Sequence, residues 1–77
     1  MTTRGSVSGR FAVCIHNGEY DVDLIVGKIY RIIRPKHNDR PSDIRVVDES
    51  SEDYLYPRGW FVPVDLPLKA QKALAAT

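Results

Sequence analysis

The sequence predicts an all-β domain: a small five-stranded barrel followed by a short C-terminal helix. All fourteen Val and Ile residues and all seven aromatics lie between Val7 and Val64. Such side chains fit the pleated, half-buried surface of a strand. That span is cut into short apolar runs by Gly, Pro, Asn and Asp, residues that punctuate strands with turns. Beyond it the usage changes, because Asp65 to Thr77 holds four Ala, three Leu and two Lys and no β-branched aliphatic residue, the composition of a helix. Five short strands in about fifty-five residues suit a barrel, since closure removes exposed edges.

The elements follow in order. Met1 to Gly9 is mostly Thr, Ser, Gly and Arg and reads as a flexible N-terminus, so the folded unit starts near Arg10. Phe11 to Ile15 is the first strand, ended by His16-Asn17-Gly18, where Asn and Gly tolerate positive φ. Val22 and Leu24 alternate with Asp21 and Asp23, and Gly27 marks a turn before the second β-rich run, Ile29 to Arg34. Pro35 to Ser42 is a loop, because its two Pro residues cannot donate to a sheet ladder. Ile44 to Val47 is the third strand, Asp48 to Glu52 a polar turn, and Asp53 to Tyr56 the fourth strand. Pro57-Arg58-Gly59 interrupts pairing, and Trp60 to Val64 supplies a fifth strand with Pro63 at an edge. Residues 10–65 then form the barrel and 66–77 a helical tail. A helix as short as Leu68 to Ala76 holds only if it docks on the barrel, pairs with another chain, or frays at little cost. Alternation gives a core of Val13, Ile15, Val22, Leu24, Tyr30, Ile32, Ile44, Val46, Tyr56 and Phe61.

Length and charge bound the function. Seventy-seven residues leave room for one domain. A chain of this size buries only roughly 60% of its unfolded surface, so no large internal cavity is expected. A net charge of +1 is far from the strongly basic balance of a dedicated nucleic-acid binder. The single Cys14 forms no internal disulfide and favours a reducing compartment. With no apolar stretch long enough for a signal peptide or membrane span, the expectation is a cytoplasmic protein that does not engage a membrane.

The run Val22-x-Leu24-x-x-Gly27-Lys28-x-Tyr30-x-Ile32 resembles the diverging turn of Src-homology-3 barrels, and Tyr56-Pro57-x-x-Trp60-Phe61 resembles the end of the same fold. Asp48-Glu49-Ser50-Ser51-Glu52-Asp53-Tyr54-Leu55-Tyr56-Pro57 is similar to a signature of short, stand-alone, uncharacterised bacterial SH3-like proteins, with the likeness running from about Val13 to Pro67. That pattern has Gly where this chain has Ser51, so the turn must either avoid positive φ or accept strain. The family brings no established activity. The resemblance implies an SH3-like barrel in which Trp60 projects from a one-turn helix, with Pro57 beside it and Tyr20 contributed by the loop after strand one.

Tyr20, Pro57 and Trp60 would then form a shallow apolar groove. In peptide-binding SH3 domains such a groove receives a polyproline II ligand, but those domains carry a Trp at the start of the third strand where this chain has Asp43-Ile44. The competing reading buries half of Trp60 against the C-terminal segment. Lys28, Arg31, Arg34, Lys36 and Arg40 lie within thirteen residues that hold one acid, Asp39, a local patch of about +4 that could position phosphates. Against that, Asp48, Glu49, Glu52 and Asp53 form an acidic hairpin able to pair with those very Arg residues. It lacks the Asp-x-Asp-x-Asp-Gly loop that wraps calcium. Cys14 and His16 share a strand face as a nucleophile and base could, yet a strand-borne Cys among Phe11, Val13 and Ile15 reads better as a small buried hydrophobe. No enzyme, cofactor or metal is expected. The sequence therefore points to non-catalytic binding of a protein or peptide at Tyr20, Pro57 and Trp60, with Arg34, Lys36 and Arg40 selecting an acidic partner. The alternatives are nucleic-acid binding through residues 28–40 and a structural subunit assembling through the C-terminal helix, in a monomer or weak homo-oligomer.

Overall fold

The computed structural model describes residues 10–75, so the expected flexible segment 1–9 and the last two residues of the tail lie outside the described residues. Five strands form one antiparallel sheet: β1 (Phe11–Cys14), β2 (Ile29–Ile32), β3 (Asp43–Val47), β4 (Asp53–Pro57) and β5 (Phe61–Val64), followed by α1 (Leu68–Ala75). The order across the sheet is β4-β3-β2-β1-β5. β4 and β5 are its two edges, and among the described residues no pairing joins them to close the sheet.

The turns between strands fall where Gly, Pro, Asn and Asp interrupt the apolar runs. Gly18 and Gly27 take φ of +58° and +92°, a region open to glycine because it has no Cβ. Pro63 faces the free side of β5. Ile15 N–H donates to Trp60 C=O at 2.8 Å and Ala12 lies opposite Pro63, so the alternation of an antiparallel ladder points residue 63 away from β1. The missing N–H costs no sheet bond.

The core is Phe11, Ala12, Cys14, Leu24, Tyr30, Ile44, Val46, Tyr56 and Phe61, all buried. Leu24 and Val46 are fully enclosed, each worth about 1.5–3 kcal/mol of apolar burial. Six of the expected core positions, Leu24, Tyr30, Ile44, Val46, Tyr56 and Phe61, are buried, and Ile32 packs half-buried against them. Three are not. Ile15 is 52% exposed and Val22 81% exposed, while Val13 is only half-buried. On β1 the inward face carries Ala12 and Cys14 instead, opposite Tyr30 and Phe61 respectively. Small side chains there leave volume for the three rings of Tyr30, Tyr56 and Phe61, which a β-branched pair at those positions would crowd. Val22 lies in no strand. Tyr20 C=O accepts the N–H groups of Asp23 at 3.1 Å and Leu24 at 2.8 Å, which curls residues 20–24 into a turn that drops Leu24 inward and leaves Val22 at its tip.

α1 begins after Pro67 and lays Ala70, Gln71 and Leu74 in half-buried positions, with Leu66 half-buried in its lead-in, while Leu68 stays 65% exposed. Gln71 Nε2 donates to Leu66 C=O at 2.8 Å, returning the helix onto its own lead-in. None of the described helix residues is among the buried core.

Candidate functional site

Pro57 ends β4 with φ −58° and opens a single 3₁₀ turn, Arg58–Trp60, closed by Phe61 N–H donating to Arg58 C=O. Proline fixes that φ without distortion, and the tight turn swings the Trp60 ring over the end of the sheet. It lands on the turn after β1. A Cβ added to Gly18 would stand 2.6 Å from Trp60 Cη2, so the ring rests on bare backbone. The His16 ring meets it edge-on, centroids 5.1 Å apart at 89°. Tyr20 approaches from the same loop at 6.0 Å, and Tyr56 lies beneath at 6.2 Å. Tyr20 also packs edge-to-face on Tyr56 at 5.5 Å. The loop is fixed from within: Asn17 C=O accepts Tyr20 N–H at 2.8 Å, and Asn17 Nδ2 donates to Leu24 C=O at 3.0 Å.

Tyr20 and Trp60 therefore meet as expected, with Tyr20 51% exposed, Trp60 half-buried, and Pro57 exposed at the start of the turn that carries Trp60. The ring contacts of Trp60 are to His16, Tyr20 and Tyr56. Edge-to-face and tilted pairs at these separations are the favoured aromatic geometries.

Arg34, Lys36 and Arg40 sit on the β2–β3 loop, exposed. Arg58, one residue beyond Pro57, ties the end of that loop to the 3₁₀ turn: its guanidinium donates to Pro41 C=O at 2.8 Å and Asp43 C=O at 2.9 Å. The middle of the loop folds elsewhere. Asp39 is gripped by Arg45 at 2.7 and 2.9 Å and accepts Lys36 N–H at 2.8 Å. Arg45 alternates with the core residues Ile44 and Val46, so the turn at 36–39 lies over the sheet face opposite Tyr56. Among the described residues no hydrogen bond, ion pair or ring contact links Arg34, Lys36 or Arg40 to Tyr20, Pro57 or Trp60.

The acidic hairpin does pair with cations, but with a different set from the one expected. Glu49 binds Lys28 at 2.5 Å and Asp53 binds Arg45 at 2.8 Å, while Arg40 pairs with Asp43 at 3.3 Å. Arg31, Arg34 and Lys36 make no ion pair among the described residues. Glu49 also accepts the Tyr30 hydroxyl at 2.5 Å, and the two donors, Lys28 first, hold its carboxyl below the ordinary range. Asp48 is buried and fully engaged, taking the Tyr56 hydroxyl at 2.6 Å on one oxygen and Ser50 N–H and Oγ at 2.9 and 2.5 Å on the other. Burial, then the bond to Asp48, pushes the Tyr56 hydroxyl well above its ordinary value. The hairpin docks on the Tyr20 loop through Glu49 N–H to Asp23 C=O at 2.9 Å. Carboxylates consequently border the aromatic cluster on the side of Glu19, Asp21 and Asp23.

Cys14 is fully buried; its Sγ contacts His16 C=O at 3.3 Å, and burial pushes the thiol up. It is packed as a small hydrophobe. Among the described residues no group of three His, Cys, Asp or Glu side chains is placed to hold a metal ion, and no helix is long and apolar enough to cross a membrane. A solvent-open cleft of about 90 Å³ lies at the other end of β1, lined by residues including Phe11, Ile33, Pro35 and Arg58.

His16, Gly18, Tyr56 and Arg58 complete the site and were not marked by sequence as part of it. The signals for them were the His16-Asn17-Gly18 turn, whose His16 reads otherwise as a partner for Cys14, and the run Tyr56-Pro57-x-x-Trp60-Phe61, whose Tyr56 reads as core. No protein-family model, curated protein or solved structure matches the chain.

Proposed function

We propose that the chain is an SH3-like barrel acting in the cytoplasm as a non-catalytic protein- or peptide-binding module, with the Tyr20–Trp60 aromatic cluster as its contact surface. The observation that carries this reading is the placement of the Trp60 ring, held half-buried on Gly18 and flanked by an exposed Tyr20. A rigid aromatic pair at the surface gives contact area at little conformational cost, which is why Trp and Tyr dominate binding hot spots. Pro57 extends the apolar strip toward the β2–β3 loop. A partner that crosses the strip and continues past Pro57 meets the exposed Arg58 and, at the end of the β2–β3 loop that Arg58 ties down, the exposed Arg40, so its far end is acidic. The Glu19, Asp21 and Asp23 side repels that end and sets the direction of binding.

Nucleic-acid binding is the second reading, favoured by the exposed cations Arg34, Lys36 and Arg40 of the β2–β3 loop. The two differ in what they depend on. The test recovers partners from host lysate on wild-type protein and on Trp60→Ala, each with and without nuclease, and then titrates the recovered partner at several salt concentrations. Peptide binding survives nuclease, weakens about thirtyfold or more with Trp60→Ala, and weakens only modestly with salt. Loss on nuclease treatment, with steep salt dependence relieved by Arg34→Ala, overturns it in favour of nucleic acid.

A further inference from the structure

The free edge of β4 is self-complementary, and we propose that two copies of this chain pair there, strand against strand, as a two-fold dimer centred on Leu55. The phase of the edge follows from the bonds that flank the strand. Asp48 N–H donates to Glu52 C=O at one end of the β3–β4 ladder, and Arg58 N–H donates to Ser42 C=O at the other. Both bonds continue the register in which Ile44 faces Tyr56 and Val46 faces Tyr54. Hydrogen-bonded pairs recur every second residue in an antiparallel ladder. The backbone groups of Tyr54 and Tyr56 therefore turn toward β3, and those of Asp53, Leu55 and Pro57 turn outward. Among the described residues no strand pairs on that side.

An antiparallel copy placed there with Leu55 on the two-fold axis satisfies these groups. Leu55 exchanges its N–H and C=O with Leu55 of the second copy. Asp53 N–H meets the C=O of Pro57, and the donor that Pro57 lacks is missing only at the margin of the ladder. The charges agree with this register and disagree with a parallel one. Glu52 and Asp53 stand at one end of β4 and Arg58 at the other, so antiparallel pairing sets each acidic end beside the other copy's Arg58. On one face Tyr54, 49% exposed, comes beside Tyr56 of the second copy. On the other, Leu55, 39% exposed, meets its own equivalent. Cross-strand aromatic and aliphatic pairs of this kind are what stabilise a sheet. The contact is small, which fits a weak, concentration-dependent dimer that borders the Tyr20–Trp60 surface at Pro57 and Arg58.

Sedimentation velocity between about 10 µM and 1 mM, which brackets weak self-association, reads the equilibrium directly. Wild type is expected to shift from monomer toward dimer across that range. Leu55→Lys places like charges against each other on the axis and is expected to abolish the shift while the variant stays folded by circular dichroism, because the side chain is 39% exposed. An independent reading that does not rely on that variant is oxidative cross-linking. Leu55→Cys is expected to form a disulfide-linked dimer about tenfold or more faster than Val22→Cys, since pairing raises the effective concentration of the two thiols. Wild type that stays monomeric throughout overturns the proposal, including the case in which the edge takes a strand from another protein only. So does a dimer that persists in Leu55→Lys, or cross-linking no faster at position 55 than at position 22.

Discussion

Ser51 shows how a single side chain stores strain in this fold. It sits at the tip of the β3–β4 hairpin with φ +71°, where a Cβ crowds the following carbonyl at a cost of roughly 1–2 kcal/mol. The turn is held open to that cost by its neighbours: Ser51 N–H donates to Asp48 C=O at 3.0 Å, and Glu52 N–H reaches Ser50 Oγ at 3.2 Å. Ser51→Gly removes the crowding without touching either bond. It is expected to stabilise the fold by about 1 kcal/mol, less than the full strain because glycine also loosens the unfolded chain. A urea midpoint that rises at unchanged slope confirms this, whereas an unchanged midpoint means the strain is relieved elsewhere. The choice between avoiding positive φ and accepting strain was readable from the residue type at position 51; which alternative holds depends on the geometry of the whole hairpin. Gly18 differs in this respect. Its φ fits its place in His16-Asn17-Gly18, but the need for bare backbone under Trp60 arises from a residue forty-two positions away and leaves no local mark.

At the scale of elements, the strand positions were legible because Gly, Pro, Asn and Asp cut the apolar runs where the ladders end. The face of β1 was not. Phe11-Ala12-Val13-Cys14-Ile15 is apolar throughout, so period-2 patterning offers no contrast, and the register is set by which neighbours must fit over it. Small residues lie inward because Tyr30, Tyr56 and Phe61 fill the space. The Asp48 turn was legible as polar, but not as buried. Its carboxylate lies under the β3–β4 hairpin and depends on the Tyr56 hydroxyl 2.6 Å away. Tyr56→Phe keeps the ring and its contacts with Tyr20, Trp60 and Phe61 while leaving one buried carboxylate oxygen without its donor. An uncompensated buried acceptor costs about 1–3 kcal/mol, and denaturant unfolding of Tyr56→Phe is expected to show a loss of that size. A change within error of zero means that water replaces the hydroxyl and that the turn is less enclosed than its burial indicates.

Across the whole molecule, the loops are fastened to the sheet by groups that titrate at opposite ends of the pH scale, and this sets the range over which the fold persists. On the acid side, Arg45 grips Asp39 from the β2–β3 loop and Asp53 from β4. The Arg45 bond, then the Lys36 N–H, lowers the Asp39 carboxyl from 3.8 to about 2, and Arg45 lowers Asp53 as well. A carboxyl depressed in the folded state contributes fully above its unfolded pKa, and the contribution is lost as pH falls through the folded value. Stability is therefore expected to drop between about pH 4 and pH 2. On the alkaline side, burial first and carboxylate bonding second raise Tyr30 and Tyr56 well above 10.0. A hydroxyl raised in the folded state keeps its full contribution below the unfolded value, so stability falls as pH climbs beyond about 10. Thermal midpoints from pH 2 to 11 are expected to trace a plateau with these two shoulders. Asp39→Asn isolates the acid one, because the variant starts from a lower plateau and loses less between pH 4 and pH 2. If its acid shoulder is as steep as that of wild type, the Asp39–Arg45 pair is not what fastens the β2–β3 loop, and the acid limb belongs to Glu49 and Asp53 instead.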